Sequence, residues 1–310
     1  MTVADPQSLK FSTLAEALAL AKSLTAAQKA KVAAVLRAKN PALWIPQPGP
    51  QTAAYESEAD IIFYGGAAGG GKSAALMACP LRWIHNPNYR GLYLRREAQY
   101  LGDAVDKTKK LYPQLGATLV MGPRIMWTFP SGATLWMNHC AHESDIANYD
   151  SFEFSEVLWD ELTHFTEKQF TGINARLRGT DPTLPYWARA ATNPGGIGHG
   201  WVKARFITPA PPGTPIVEQF PVRMPDGTEK VLERARVFIP SSVFDNPALL
   251  ENDPDYLASL ASLPEAEKQA LLYGSWDSFS GQVFTEWRND PAHYQDQRWT
   301  HVIAPFTIPK

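Results

Sequence analysis

Gly66-Ala67-Ala68-Gly69-Gly70-Gly71-Lys72-Ser73 has the spacing G-x-x-x-x-G-K-[ST] with no gap or substitution. Ile61-Ile62-Phe63-Tyr64 runs just before it, a short apolar and aromatic stretch that predicts a buried strand. Ala74-Ala75-Leu76-Met77-Ala78-Cys79 follows, made mostly of good helix formers. Strand, glycine loop and helix in that order predict a phosphate-binding loop (P-loop). The glycines let backbone N–H groups close around phosphates without Cβ clashes. The helix N-terminus adds partial positive charge at the same place. Lys72 is expected to reach the β- and γ-phosphates of a nucleoside triphosphate, and Ser73 to place its hydroxyl on Mg²⁺.

The 310 residues, 45% hydrophobic and 19% charged, suffice for a sizeable core and one to two domains. Prolines (26) and tryptophans (10) are both abundant, which points to ordered loops rather than disorder. A net charge of −2 excludes a global basic signature. Any nucleic-acid contact must use a local patch or a surface assembled from several subunits. Cys79 and Cys140 make neither a disulfide framework nor a zinc site, so a reducing, cytoplasmic setting is the default. His139, His142, His164 and His199 do not form a metal set, and His199 reads as structural. The chain opens on no signal peptide, and no apolar run reaches the roughly 18–20 residues of a membrane span.

Residues 12–39 carry apolar positions at helical spacing, with Thr25-Ala26-Ala27-Gln28 as a capping box that restarts a second helix. These helices either pack on the core or provide an assembly contact. Pro41 to Pro50 excludes regular helix and central strand and leads into the P-loop strand. Strands are expected at 91–96, 156–159, 187–191 and 236–239, and a hairpin at 126–137 around Pro130-Ser131-Gly132. Helices are expected at 103–111, 255–260 and 264–273, with loop after Trp276. Strands separated by helices imply an α/β fold with a largely parallel sheet, whose ligand sits at the C-terminal strand ends.

Val157-Leu158-Trp159-Asp160-Glu161 has apolar residues followed by an acidic pair at a strand end, a Walker B pattern. Asp160 is expected to hold Mg²⁺, directly or through water, and Glu161 to act as general base on the attacking water. The second acid argues for hydrolysis rather than transfer to a small acceptor. Thr192-Asn193-Pro194-Gly195-Gly196 ends another strand. Asn193 either senses the γ-phosphate, with the glycines converting that into motion, or simply opens an Asn-Pro turn.

These residues resemble the large terminase subunit of tailed double-stranded DNA phages, the ATP-driven DNA-packaging motor. The resemblance covers roughly residues 40–310 and rests on "GGAAGGGKS", "LRRE" at 94–97, "VLWDELTHF" at 157–165, "ATNPGGIGHGWVK" at 191–203 and "LLYGSWDSFSGQVF" at 271–284. It implies a RecA-like P-loop NTPase of the additional-strand, catalytic-glutamate type, using ATP and Mg²⁺. It divides the chain into an N-terminal helical segment (1–40), an ATPase core (41–245) and a helical lid with linker (246–310). By the same resemblance Gly66, Gly69, Gly70, Gly71, Lys72 and Ser73 bind nucleotide. Asp160 and Glu161 are the metal ligand and catalytic base, Asn193 lies in the coupling motif, and Gln51 reads the adenine edge; the other reading of Gln51 is an exposed polar loop residue.

The implied partners are double-stranded DNA, portal protein, the small terminase subunit and further copies of the chain in a ring, in the cytoplasm of an infected bacterium. The family's nuclease carboxylates have no counterpart before Lys310, so ATP hydrolysis without nuclease activity is expected. The P-loop has no arginine of its own; Arg178 is favoured as a finger acting in trans over Arg176 and Arg189, with Arg95 and Arg96 as rivals. Two other readings share these motifs, an ATP-regulated module that docks on portal or small terminase subunit, and a helicase.

Overall fold

The computed structural model describes residues 44–277, with Thr25 and Gln28 before them. Thr25 N–H donates to Gln28 Oε1 at 2.9 Å and Gln28 N–H to Thr25 Oγ1 at 3.3 Å, the reciprocal bonds of the expected capping box. The rest of the expected N-terminal helices and the tail after 277 lie outside the described residues.

In chain order the elements are α1 (Pro50–Glu56), β1 (Ile61–Gly66), α2 (Lys72–Ala78), β2 (Arg90–Arg95), α3 (Leu101–Lys109), β3 (Thr118–Val120), β4 (Ile125–Thr128) and β5 (Thr134–His139). There follow β6 (Glu156–Asp160), α4 (Glu167–Asn174), β7 (Trp187–Thr192), α5 (His199–Val202), β8 (Ile216–Arg223), β9 (Glu229–Ser241), α6 (Pro247–Asn252), α7 (Tyr256–Ala261) and α8 (Glu265–Leu271). Helix α1 is not among the expected helices, and it shares only Pro50 with the proline-rich stretch 41–50. Pro50 is tolerated because it takes the first helical position, where an N–H has no intrahelical acceptor to lose.

The strands form one sheet in the order β3-β4-β5-β2-β6-β7-β1-β9-β8. Neighbours from β5 through β9 run parallel, and the antiparallel strands β3, β4 and β8 close the two edges. This is the mostly parallel α/β sheet of a P-loop NTPase, and β7 is the strand inserted between the P-loop strand β1 and the acidic strand β6. Both faces are buried, as parallel sheets require. Leu92, Leu94, Val157 and Trp159 face one apolar cluster, while Tyr93 and Leu158, at the alternate positions, face the other. The expected hairpin is β4–β5.

The β8–β9 ribbon exceeds the expectation, which covered only Arg236–Ile239. Its outer half is exposed on both faces, so no alternation marks it, and Pro221 reads against a strand. Pro221 is tolerated because β8 is an edge strand. No helix among the described residues is long and apolar enough to cross a membrane.

The parallel register aligns three strand ends. Gly65 of β1 lies beside Thr192 of β7 and Pro240 of β9, and Asp160 of β6 lies beside Ala191 of β7. The residues that follow these strands therefore meet at one edge. Phe63 anchors that arrangement: it is fully buried, with ring centroids of Phe206, Phe238 and Trp276 at 5.1, 5.4 and 5.5 Å. Phe63→Ala should lower unfolding stability by roughly 3–5 kcal/mol in urea titration. Val231→Ala, on the exposed ribbon, should change it by no more than about 0.5 kcal/mol.

Candidate functional site

The loop from Gly66 to Ser73 is held by its carbonyls. Asn246 Nδ2 donates to Gly69 O at 2.7 Å, Tyr64 Oη to Gly70 O at 2.9 Å and Gln51 Nε2 to Gly71 O at 3.0 Å. In a trans peptide a carbonyl and the next N–H point opposite ways, so these bonds direct the amides of Gly70, Gly71 and Lys72 away from the three donors. Ala67 N–H donates to Ser241 O at 2.8 Å and Ala68 N–H to Leu271 O at 2.7 Å, tying the loop to β9 and α8. A Cβ on Gly66, at φ 136°, would stand 2.5 Å from Ser241 O, so this close approach needs glycine.

Beside the loop opens a cavity of about 1050 Å³, lined among others by Trp44, Gln51, Gly69 to Ser73, Lys107, Glu161, Asn193, Asn246 and Tyr256. Gly69, Gly70, Gly71, Lys72 and Ser73, expected to bind nucleotide, thus share one cavity with Glu161 and Asn193, while Gly66 does not line it. Lys72 Nζ donates to Ala67 O and, at 3.5 Å, to Gly66 O. Burial pulls its pKa down to about 8, against the opposing pull of Glu161 and Asp160. Gln51 is not an exposed loop residue. It is buried in α1, and its Oε1 accepts from Gln47 N–H at 2.6 Å while its Nε2 holds Gly71.

Asp160 ends β6 and is buried. Ser73 Oγ donates to its Oδ1 at 3.3 Å, across the gap between α2 and β6. Its Oδ2 accepts from Tyr93 Oη at 2.5 Å and from Arg95 Nε at 2.7 Å, and Arg95 Nη2 forms an ion pair with it at 2.5 Å. Burial, then the Asp160 charge, pushes the Tyr93 phenol well above its usual range, so it remains a donor. The Ser73 hydroxyl and Asp160 Oδ1 are hard oxygen donors side by side, the chemistry Mg²⁺ takes when phosphates and water complete its shell.

Glu161, next in the chain, has φ 57° and ψ 56°, a left-handed conformation. Its carboxylate pKa is raised, first by burial and then by Asp160, with His164, Lys72 and Arg95 pulling the other way. Thr192 Oγ1 lies 3.3 Å from Glu161 Oε2 and 2.7 Å from Thr163 Oγ1. Asn193 follows β7 at the cavity wall. Its buried Oδ1 has no hydrogen-bond partner among the described residues, which costs stability unless a ligand or water meets it. Gly195 N–H donates to His199 Nδ1 at 3.0 Å, and His199 Nε2 lies 3.0 Å from Trp276 O, so His199 ties this loop to the chain after α8.

The five candidate arginines are spread over the fold. Arg178 is half exposed, pairs with Glu153 at 3.3 Å and bonds Phe154 just before β6, at the sheet edge opposite the P-loop. Arg176 pairs with Asp150 at 2.6 Å. Arg189 is buried in β7, its guanidinium 4.1 Å from the Trp187 ring, donating to Ala59 O, with Glu156 at 3.9 Å. Arg96 donates to His164 O and Gln169 Oε1. Arg95 alone among these five reaches the site, and it faces a carboxylate rather than the cavity. Tyr64, Tyr93 and Asn246 are site residues that sequence reasoning missed altogether. The i, i+2 spacing of Tyr93 and Arg95 on a strand is the one signal that they share a face.

The left-handed Glu161 has a measurable signature. Glu161→Gly should exceed Glu161→Ala in urea stability by about 1 kcal/mol, the reverse of the usual order, because only Gly adopts this conformation without strain.

No curated protein matches the chain in sequence. Among solved structures, the large terminase of a thermophilic bacteriophage in complex with ADP superposes with a TM-score of 0.52 at 14% identity, over 74% of this chain and 54% of that one. The same phage terminase in complex with ATP-gamma-S gives the same score and identity, over 74% and 53%. The ATPase domain of the Thermus phage P74-26 large terminase gives 0.47 at 13%, over 76% and 96%. The chain thus spans about half the length of the first terminase's chains, and the likeness is one of fold. The family model described as terminase large subunit, T4likevirus-type, N-terminal, matches residues 63–288, well over half of the sequence. The chain accordingly belongs to the T4-like type of large terminase subunits, of which it carries the N-terminal part.

Proposed function

We propose that this chain is the ATP-hydrolysing part of a phage DNA-packaging motor. One observation carries the reading: Ser73, which lines the cavity together with Glu161 and Asn193, donates its Oγ–H to Asp160 Oδ1. The thermophilic-phage terminase whose fold it shares is described in complexes with ADP and ATP-gamma-S, which supports a nucleotide in that cavity.

The amides of Gly70 to Ser73 and the Lys72 ammonium bind the phosphates. Ser73 and Asp160 Oδ1 would hold Mg²⁺, which neutralises charge developing on the phosphates. Glu161, its basicity raised by burial, takes a proton from a water whose oxygen attacks the γ-phosphorus as the bond to the β-phosphate oxygen breaks. Asn193, at the cavity wall, would register the γ-phosphate by donating its side-chain N–H to a phosphate oxygen, and the Gly195–His199–Trp276 bonds would carry its position toward the chain after α8. Gln51 forms the cavity wall beside Trp44, where an adenine edge would lie. Double-stranded DNA, portal protein, the small terminase subunit and a ring of copies are the partners that this family implies, in the cytoplasm of the infected host. Arg178, exposed and far from its own P-loop, remains the proposed finger for a neighbour's site.

Glu161→Gln should retain ATP binding and lose hydrolysis by at least about 100-fold; hydrolysis at the wild-type rate would remove Glu161 as base. Tyr64→Phe and Asn246→Ala each free one loop carbonyl and should weaken ATP binding about fivefold, measured with a fluorescent analogue. Packaging is tested with procapsids bearing portal: Glu161→Gln should bind them and leave their DNA unprotected from nuclease.

A further inference from the structure

Arg95 is the cation that holds Asp160, and the geometry of that contact divides the carboxylate. Oδ2 takes two hydrogen bonds, one from Arg95 Nε and one from Tyr93 Oη, which fill its lone pairs, with Arg95 Nη2 at ion-pair distance. Oδ1 alone is left on the Ser73 side. The Arg95 side chain is 14% exposed and that of Asp160 2% exposed, so water screens the pair weakly. Lys72 and Arg95 then stand against two carboxylates, Asp160 and Glu161. Asp103, 4.0 Å from Arg95, is itself paired with Lys107 at 2.7 Å.

We propose that Arg95 is a positioning residue that balances the charge of Asp160, so that the protein holds a divalent cation only jointly with nucleotide phosphates. This rests on the reading of Ser73 and Asp160 as the metal edge of a nucleotide site. A carboxylate whose charge is already met by a guanidinium attracts Mg²⁺ poorly, and Mg²⁺ gives up its water reluctantly for a single such oxygen. Bound triphosphate adds the missing negative charge. The metal then arrives with substrate and leaves with product, and Arg95 keeps Asp160 in one rotamer between turnovers.

The test is Mn²⁺ binding to the full chain, followed by electron paramagnetic resonance with and without ATP-gamma-S. Nucleotide-free wild type should show no bound Mn²⁺ at concentrations that saturate the ATP-gamma-S complex. Arg95→Gln, which keeps a donor and removes the charge, should tighten nucleotide-free Mn²⁺ binding by about tenfold or more. Arg95→Lys and Tyr93→Phe, which keep the charge, should stay near wild type. A merely structural role for Arg95 would leave metal affinity unchanged or weaken it in Arg95→Gln, and a folded variant that did so would overturn the proposal. Should Arg95→Gln not fold, the wild-type titration still decides, because nucleotide-free binding as tight as in the complex would refute it. Failure of ATP-gamma-S to bind wild type would instead overturn the nucleotide reading beneath it.

Discussion

Three consecutive carbonyls of the P-loop, those of Gly69, Gly70 and Gly71, are each taken by a side chain from a different part of the chain. This constraint orients the loop. A glycine-rich segment has many backbone states, and ordering it costs more entropy than ordering any other. Asn246, Tyr64 and Gln51 select one of them. The donors come from the segment before α6, from β1 and from α1, so the loop is set only when the parts around it are folded. The close approaches of Gly66 to Ser241 and of Ala68 to Leu271 add to the same clamp.

The chemistry at the cavity follows from the parallel register. Strands β1, β6 and β7 end level, so residues from distant parts of the sequence meet without a long side-chain reach. The cost is local. Glu161 sits in a conformation that non-glycine residues avoid, its half-buried carboxylate has a raised pKa, and Asn193 Oδ1 lacks a partner among the described residues. The left-handed Glu161 and the unpaired Asn193 Oδ1 both stand at the cavity, where a bound ligand can offset their cost.

The sheet was legible from the P-loop outward because its central strands are apolar, short and bounded by glycine, proline or acidic residues. Periodicity failed where burial ends: the β8–β9 ribbon is exposed on both faces, and α1 begins on a proline. At the site, Lys72, Ser73, Asp160, Glu161 and Asn193 were legible because each stands at a fixed offset from a strand end. Tyr64, Tyr93 and Asn246 were not, since they act through long-range hydrogen bonds that local patterns do not encode. The arginines show the same limit from the other side. Arg176, Arg178 and Arg189 lie between the acidic strand and the coupling loop in sequence, yet two form surface ion pairs and one is buried against Trp187. Arg95, at the end of β2 and far from β6 in sequence, is the one that touches Asp160.

The account stands on a P-loop held in one backbone state at the cavity wall before nucleotide arrives. It is tested most directly by amide nuclear magnetic resonance of the ¹⁵N-labelled chain during titration with Mg²⁺ and ATP-gamma-S. The expected result is large shifts at Gly70, Gly71, Lys72 and Ser73, with a further shift at Asn193. Saturating nucleotide that leaves the four loop amides in place, and moves signals elsewhere on the sheet, would contradict it.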